Sequence, residues 1–220
     1  MPQEQKPRRD PARRTRILTS AAELISRSGY HSVGMADIGT AAGIVGSGIY
    51  RHFESKAAIL AELLEDVMNN LTTSAASIVD DSPDDRTAVT RLVRNHVDVV
   101  IHDRRIMQVY HREARNLPAR NLRQLRRAQR LYIEEWATAV AAIRTDLADS
   151  ESRLLVHAAI GAIQSILFHS PGLPEPQTAT MLRQAAHSCL GVEATDGRLD
   201  LADARQPVST TVEHPGAQAG

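Results

Sequence analysis

Between Gly43 and Lys56 the chain reads GIVGSGIYRHFESK, and most of its recognisable chemistry lies there. Tyr50 carries a hydroxyl on a rigid ring, able to reach a phosphate oxygen. His52 can donate a proton to the same backbone. Lys56 adds a positive charge at the start of the following helix, where free N–H groups favour an anion. Contacts of this kind position a protein on a duplex and carry little sequence information. Reading of base edges falls to Ser47 and Arg51, on the exposed side of Gly46-Ser47-Gly48. Arg51 suits guanine, or touches only phosphate. Each glycine inside a helix costs ~1 kcal/mol relative to alanine. Gly46 and Gly48 therefore mark either a loosened helix start or a backbone pressed close to a groove wall.

Such side chains need a scaffold, and the flanking pattern supplies one. Asp10-Pro11 is a helix start, with an acceptor at the cap and proline where a missing N–H is harmless. Ile17, Ala21, Leu24 and Ile25 form an apolar stripe, and Gly29 closes that helix as a left-handed cap. A short helix over about Met35–Ala42 turns Met35, Ile38 and Ala42 inward. Gly34 is its expected cap, with Asp37 three residues on. Gly43 breaks it. Another short helix ends near His52–Phe53, with Ile49 and Phe53 spaced as core anchors. Ser55 then caps a long helix carrying Ile59, Leu63, Val67 and Leu71. Long helix, short helix, glycine turn, short helix is the order of a helix-turn-helix with a supporting first helix.

These motifs, in this order, resemble the N-terminal domain of TetR/AcrR-type transcriptional repressors. The residues that carry the likeness are Gly29-Tyr30, Met35-Ala36-Asp37-Ile38, Ala42-Gly43-Ile44, Ile49-Tyr50-Arg51-His52-Phe53, Ser55-Lys56 and Ile59-Leu60, within about residues 12–62. The chain departs from the family at Gly34, Ala36, Val45 and Gly48, where the family often has threonine, a basic residue, serine or threonine, and threonine. Arg14, Gly46, Ser47, Gly48, Tyr50, Arg51, His52 and Lys56 are the expected DNA-binding residues. The resemblance implies an operator-binding homodimer with a C-terminal effector pocket.

Charge distribution agrees with one-ended binding of a polyanion. The whole chain is formally neutral, but residues 1–56 hold nine Lys/Arg against five acids. Lys6–Arg16 form a basic arm that either tracks phosphates, enters the minor groove or stays solvated. Residues 1–9 are expected to be a flexible part of this basic arm. Cys189 stands alone, so no internal disulfide is possible and a reducing cytoplasm fits. The MPQEQKPRRDPARR start has no apolar stretch behind it and is not read as a signal peptide. The apolar run around His157–Phe168 is too short to span a bilayer, so no membrane partner is expected. Nucleophile elbow, phosphate loop and zinc-protease signatures are absent, and the nine histidines form no ligand-spaced cluster. His187 and Cys189 point to different sides of a helix. Neither enzyme activity, metal nor cofactor is expected.

The remainder is helical by periodicity, near 84–102, 104–115, 119–147, 150–169 and 176–190. The fold class is therefore all-α, with a helix-turn-helix domain over 10–56 and a helical effector-binding and dimerisation domain over 57–194. From 195 to 220 Pro, Gly, Thr and Asp take over, and this tail is read as disordered. Candidate effector-lining residues are Val97, Ile101, Met107, Tyr110, His111, Leu125, Tyr132 and Trp136, with core packing the competing role. Arg120, Arg123, Arg127 and Arg130 share a helix face suited to an anionic effector such as an acyl-CoA, or simply solvated. Segments 154–168 and 178–190 are apolar on most faces and rich in small residues. By the resemblance they form a four-helix dimer interface through Leu155, Ala159, Ala162, Ile163, Ile166, Met181 and Ala185. A small, largely apolar effector would release a palindromic double-stranded operator. Rival readings are a ligand-independent architectural DNA-binding protein and a helical enzyme.

Overall fold

A computed structural model describes residues 11–170 and 172–195. Residues 1–9, the Asp10 cap and the tail beyond Thr195 lie outside them. Eight α-helices run α1 Pro11–Ser28, α2 Met35–Ala41, α3 Lys56–Asp80, α4 Asp85–His102, α5 Arg104–Glu113, α6 Ala119–Ile143, α7 Asp149–Gln164 and α8 Glu175–Leu190. Among the described residues there is no strand.

The first 45 described residues make a small head. Gly29 ends α1 at φ +79°, its N–H on the Ile25 carbonyl at 2.8 Å. Gly43 turns the chain after α2 at φ +70°. Both values lie in the left-handed region that glycine enters without steric penalty. At the start of α2 the Asp37 carboxylate reaches back to accept from the Gly34 N–H at 2.8 Å, the acidic half of a capping box. Ile17, Ala21 and Ile25 of α1 meet Ile38, Ile49 and Phe53 in a core that continues into α3 through Ile59 and Leu63.

Ser55 caps α3 by accepting from the Ala58 N–H at 3.1 Å. The helix then runs 25 residues out of the head and packs against α6 in the body. Asp84 caps α4 in the same way, accepting from the Thr87 N–H at 2.8 Å. α4 packs on α6 and α8, and α7 lies along α8.

Three boundaries fall short of the sequence expectation. α6 stops at Ile143 rather than 147, because the Arg144 guanidinium turns onto Asp146 at 2.8 and 2.9 Å and also onto the Leu190 carbonyl at 3.1 Å. α5 tightens into a 3₁₀ turn over Ala114–Asn116, and α7 does so over Ser165–Leu167.

Candidate DNA-binding surface and effector cavity

The segment expected to read bases is a six-residue 3₁₀ helix, Gly46–Arg51. Val45 precedes it with no capping side chain. Ile49 and Phe53 are buried and hold it to the head, as their spacing predicts. Ser47, Tyr50 and Arg51 are exposed, and His52 is half-buried. A 3₁₀ turn superposes every third side chain, so Ser47 and Tyr50 share one line along the surface.

The two glycines answer to the chain itself, one through its backbone and one through a neighbouring side chain. Gly46 adopts φ +58°. A Cβ on Gly48 would lie 2.8 Å from the Ile44 Cγ2. Gly46→Ala is therefore expected to lower stability by about 1–2 kcal/mol through left-handed strain. Gly48→Ala is expected to lower it by about 1 kcal/mol, Ile44 having to shift. Gly46→Asn, which tolerates that region, should be milder than Gly46→Ala in urea denaturation. Equal losses for alanine and asparagine would exclude backbone conformation as the cause.

Two of the expected DNA contacts are engaged inside the head. Arg14 forms a two-pronged ion pair with Glu62 of α3. It also donates to the His52 carbonyl at 2.8 Å and stacks 4.2 Å from the centre of the Phe53 ring. Lys56 donates from Nζ to the Tyr30 carbonyl at 2.5 Å and the Val33 carbonyl at 2.6 Å, with Nζ 4.2 Å from the Tyr30 ring centre. These two cations fix the ends of the reading segment to α1, to the loop before α2 and to α3. The sequence expectation of DNA contacts did not foresee these bonds within the chain. Sequence spacing misses them because each partner is a distant acid or a backbone carbonyl.

In the body a cavity of about 490 Å³ opens between α3, α4, α5, α6 and α7. Met107, Tyr110, His111 and Tyr132 line it as expected. Val97, Leu125 and Trp136 are instead buried in packing, and Ile101 is half-buried beside the core. Each helical residue is turned about 100° from the next, so His96 faces the cavity where Val97 does not. Trp136 sits behind it, its ring 6.0 Å from Tyr132 and 6.1 Å from His96.

The other lining residues include Met68 and Leu71 on α3, Ile160 and Gln164 on α7, and Arg126, Gln129, Arg130 and Ile133 on α6. The last four have the i, i+3, i+4, i+7 spacing of one helix face, the signal that would have found them. Arg120, Arg123 and Arg127 are exposed and do not line the cavity, so only Arg130 of the expected basic stripe serves it. Arg153, also on the wall, is tied to Glu134 at 2.8 and 2.9 Å.

His96 is fully buried. Its Nδ1 lies 2.9 Å from the Tyr132 hydroxyl and its Nε2 lies 3.2 Å from the Gln164 amide nitrogen. Burial, with a smaller push from His111, holds its pKa down to about 3, so the ring is neutral. Burial also lowers His111, against a hydrogen bond to Gln164 that raises it. The Tyr110 and Tyr132 hydroxyls are pushed up by burial and stay protonated.

Residues 17–63 match the family model described as bacterial regulatory proteins, tetR family. The N-terminal domain belongs to the TetR family. The HTH-type transcriptional repressor KstR2 of Rhodococcus jostii (strain RHA1) is 30% identical over 107 residues, 49% of this chain and 52% of that one. The chain thus spans about half the length of the curated relatives it matches. A TetR-family transcriptional regulator from Bordetella parapertussis 12822 superposes with a TM-score of 0.73 at 20% identity, covering 80% of this chain and 93% of the other. The structure of AibR in complex with isovaleryl coenzyme A and operator DNA gives 0.67 at 18% identity, covering 78% and 96%. Both structural likenesses are of fold.

The TetR-type head is latched to the body through α5. Arg105 of α5 pairs with Glu23 of α1 at 3.2 Å. His31 meets the Asn116 side chain at 3.0 Å, and Asn116 donates to Glu113 at 2.7 Å. At the far end of the body, the residues expected to form a dimer interface divide. Ala159, Ile163 and Ile166 are buried in the chain's own core, which corrects that assignment, since a residue packed at home has no surface to offer a partner. Leu155 and Ala162 are half-buried, and Met181 and Ala185 are exposed. The outward face of α7 and the turn after it carries Leu154, Ala158, Gly161 and Phe168 instead. Leu154 and Phe168 are 66% and 57% exposed. No helix among the described residues is long and apolar enough to cross a membrane.

Proposed function

We propose that this chain is a transcriptional regulator that binds a palindromic operator as a homodimer in the cytoplasm and releases it when a small, largely apolar effector enters the body cavity. The observation that carries the reading is the double role of α5. One side of it holds the head through Arg105 and Glu23, while Met107, Tyr110 and His111 line the cavity. A ligand that repositions α5 moves α1 with it. The coupling is reciprocal: DNA must weaken effector binding by the factor by which effector weakens DNA binding. AibR, a neighbour in fold, was solved with both an acyl-coenzyme A and operator DNA. An apolar cavity with arginines on its wall favours an acyl-CoA or lipid-like effector for this chain. Repression rests on analogy with KstR2, named a repressor.

The direct test selects bound genomic fragments and asks whether one sequence is retained over random DNA as salt rises. Nonspecific complexes dissociate steeply with salt, so retention marks a specific operator. Loss of all preference would support a sequence-tolerant architectural protein instead, a reading favoured by the sparse side chains of Gly46–Arg51. Arg51→Ala is expected to relax specificity at one position per half-site, because guanidinium readout of guanine is worth about 1–3 kcal/mol. Tyr50→Phe should weaken all sequences alike. An even loss across operator variants for Arg51→Ala would make it a phosphate contact.

A further inference from the structure

The hydrogen bonds at the inner wall of the cavity have a direction, and the direction constrains the ligand. His96 is neutral and fully buried, so it carries one ring proton between two partners. Gln164 links two histidines. Its oxygen accepts from His111, the bond that favours that ring's charged form, and its nitrogen then donates to the His96 Nε2. With Nε2 accepting, the His96 proton sits on Nδ1 and is donated to the Tyr132 oxygen, 2.9 Å away. The Trp136 indole, whose ring lies 6.0 Å from that of Tyr132, offers only an N–H donor. The Tyr132 hydroxyl is thus left with a proton that no described side chain accepts, and Tyr132 lines the cavity. A hydroxyl whose oxygen accepts from His96 keeps its own proton as a directed donor. Leaving such a donor unmet in a buried site is unfavourable. On the α6 face of the cavity, Arg126 and Arg130 have no described carboxylate partner, Arg153 having taken Glu134. The lining also includes Met68, Leu71, Met107, Ile133 and Ile160, which make much of the cavity apolar.

We infer that the cavity selects an amphipathic compound which presents a hydrogen-bond-accepting oxygen, such as a carbonyl, to the Tyr132 hydroxyl and an anionic group to Arg126 and Arg130. This rests on the effector reading above and narrows it to a ligand class. His96 and Gln164 are positioning residues here: they fix the sense of the Tyr132 hydroxyl. Oxygen recognition built this way rejects an analogue that lacks the oxygen, because the donor is then stranded.

The probes are dodecanoate, the oxododecanoate with its ketone on the penultimate carbon, and the methyl ester of that keto acid. Binding to the full chain is followed by titration calorimetry without DNA. The keto acid is expected to bind the wild-type protein about tenfold more tightly than dodecanoate. Tyr132→Phe should erase that ratio, the keto acid then binding no better than dodecanoate to the same variant. The methyl ester should bind more weakly than the acid, and the Arg126→Gln/Arg130→Gln double variant should bind acid and ester alike. The wild-type comparison needs no variant, so it decides even if Tyr132→Phe fails to fold. Equal binding of keto acid and dodecanoate, or a ketone preference that survives Tyr132→Phe, overturns the acceptor rule alone. Equal binding of acid and ester to the wild type overturns the anion rule. Binding of no probe overturns the inference as a whole. Operator binding is measured separately, so these failures are distinct from failure of the regulatory reading.

Discussion

Lys56→Met is expected to lower the stability of the protein by about 1–3 kcal/mol while leaving the salt dependence of DNA binding unchanged. Methionine keeps most of the aliphatic stem and removes the ammonium. What is lost is a pair of charge-assisted hydrogen bonds to Tyr30 and Val33 carbonyls and the contact with the Tyr30 ring. Those carbonyls belong to the loop that sets α2 against α1, so the reading segment loses its footing and affinity falls for every sequence. A lysine on phosphate behaves differently: its removal reduces the slope of log affinity against log salt by about one and leaves the apo protein's stability alone. Urea denaturation and a salt titration on one operator separate the two. A lowered slope with unchanged stability would support the phosphate role that the sequence implies. Arg14→Ala should follow the same pattern, since Glu62, the His52 carbonyl and Phe53 all lose a partner.

The two lysine roles also show where sequence reading succeeds and stops. Positions that obey a local period were legible. Ile59, Leu63, Val67 and Leu71 predict α3 and are all buried in it. Gly29 predicts a left-handed cap and Gly43 a helix break, and both adopt positive φ. Ile49 and Phe53 predict anchors and are buried. The cation partners were not legible, because Glu62 is 48 residues from Arg14 and backbone carbonyls leave no mark in a sequence. Half of the residues expected to line the cavity do so, found by residue type, as with Tyr110 and Tyr132. His96 and Gln164 were missed because a lone polar residue on an apolar helix has no signature until its partners on three other helices are placed. The residues expected at the dimer face divide between core and surface for another reason. A helix apolar on most sides has no phase, so α7 could not reveal which of its faces meets its own core.

That ambiguity becomes a measurable contrast on α7. Gly161→Glu is expected to convert a dimer into a monomer in sedimentation velocity and to reduce operator affinity by about a hundredfold to ten-thousandfold, the advantage of joining two half-site contacts. The isolated chain should not suffer. A Cβ on Gly161 meets nothing within 4 Å, and glutamate is a better helix former than glycine by up to ~1 kcal/mol. Stability of the monomer is therefore expected to hold or rise while assembly is lost. A carboxylate set among Leu154, Ala158 and Phe168 has water on the monomer and none in a closed helix crossing. Ala159, one helical face away, should give the opposite result. It is fully buried in the chain's own core, so Ala159→Leu is expected to overpack that core and to lower chain stability by about 1–3 kcal/mol. A dimer that survives Gly161→Glu would place the interface on another surface. A monomer that unfolds on that substitution would show that Gly161 serves the chain's own packing.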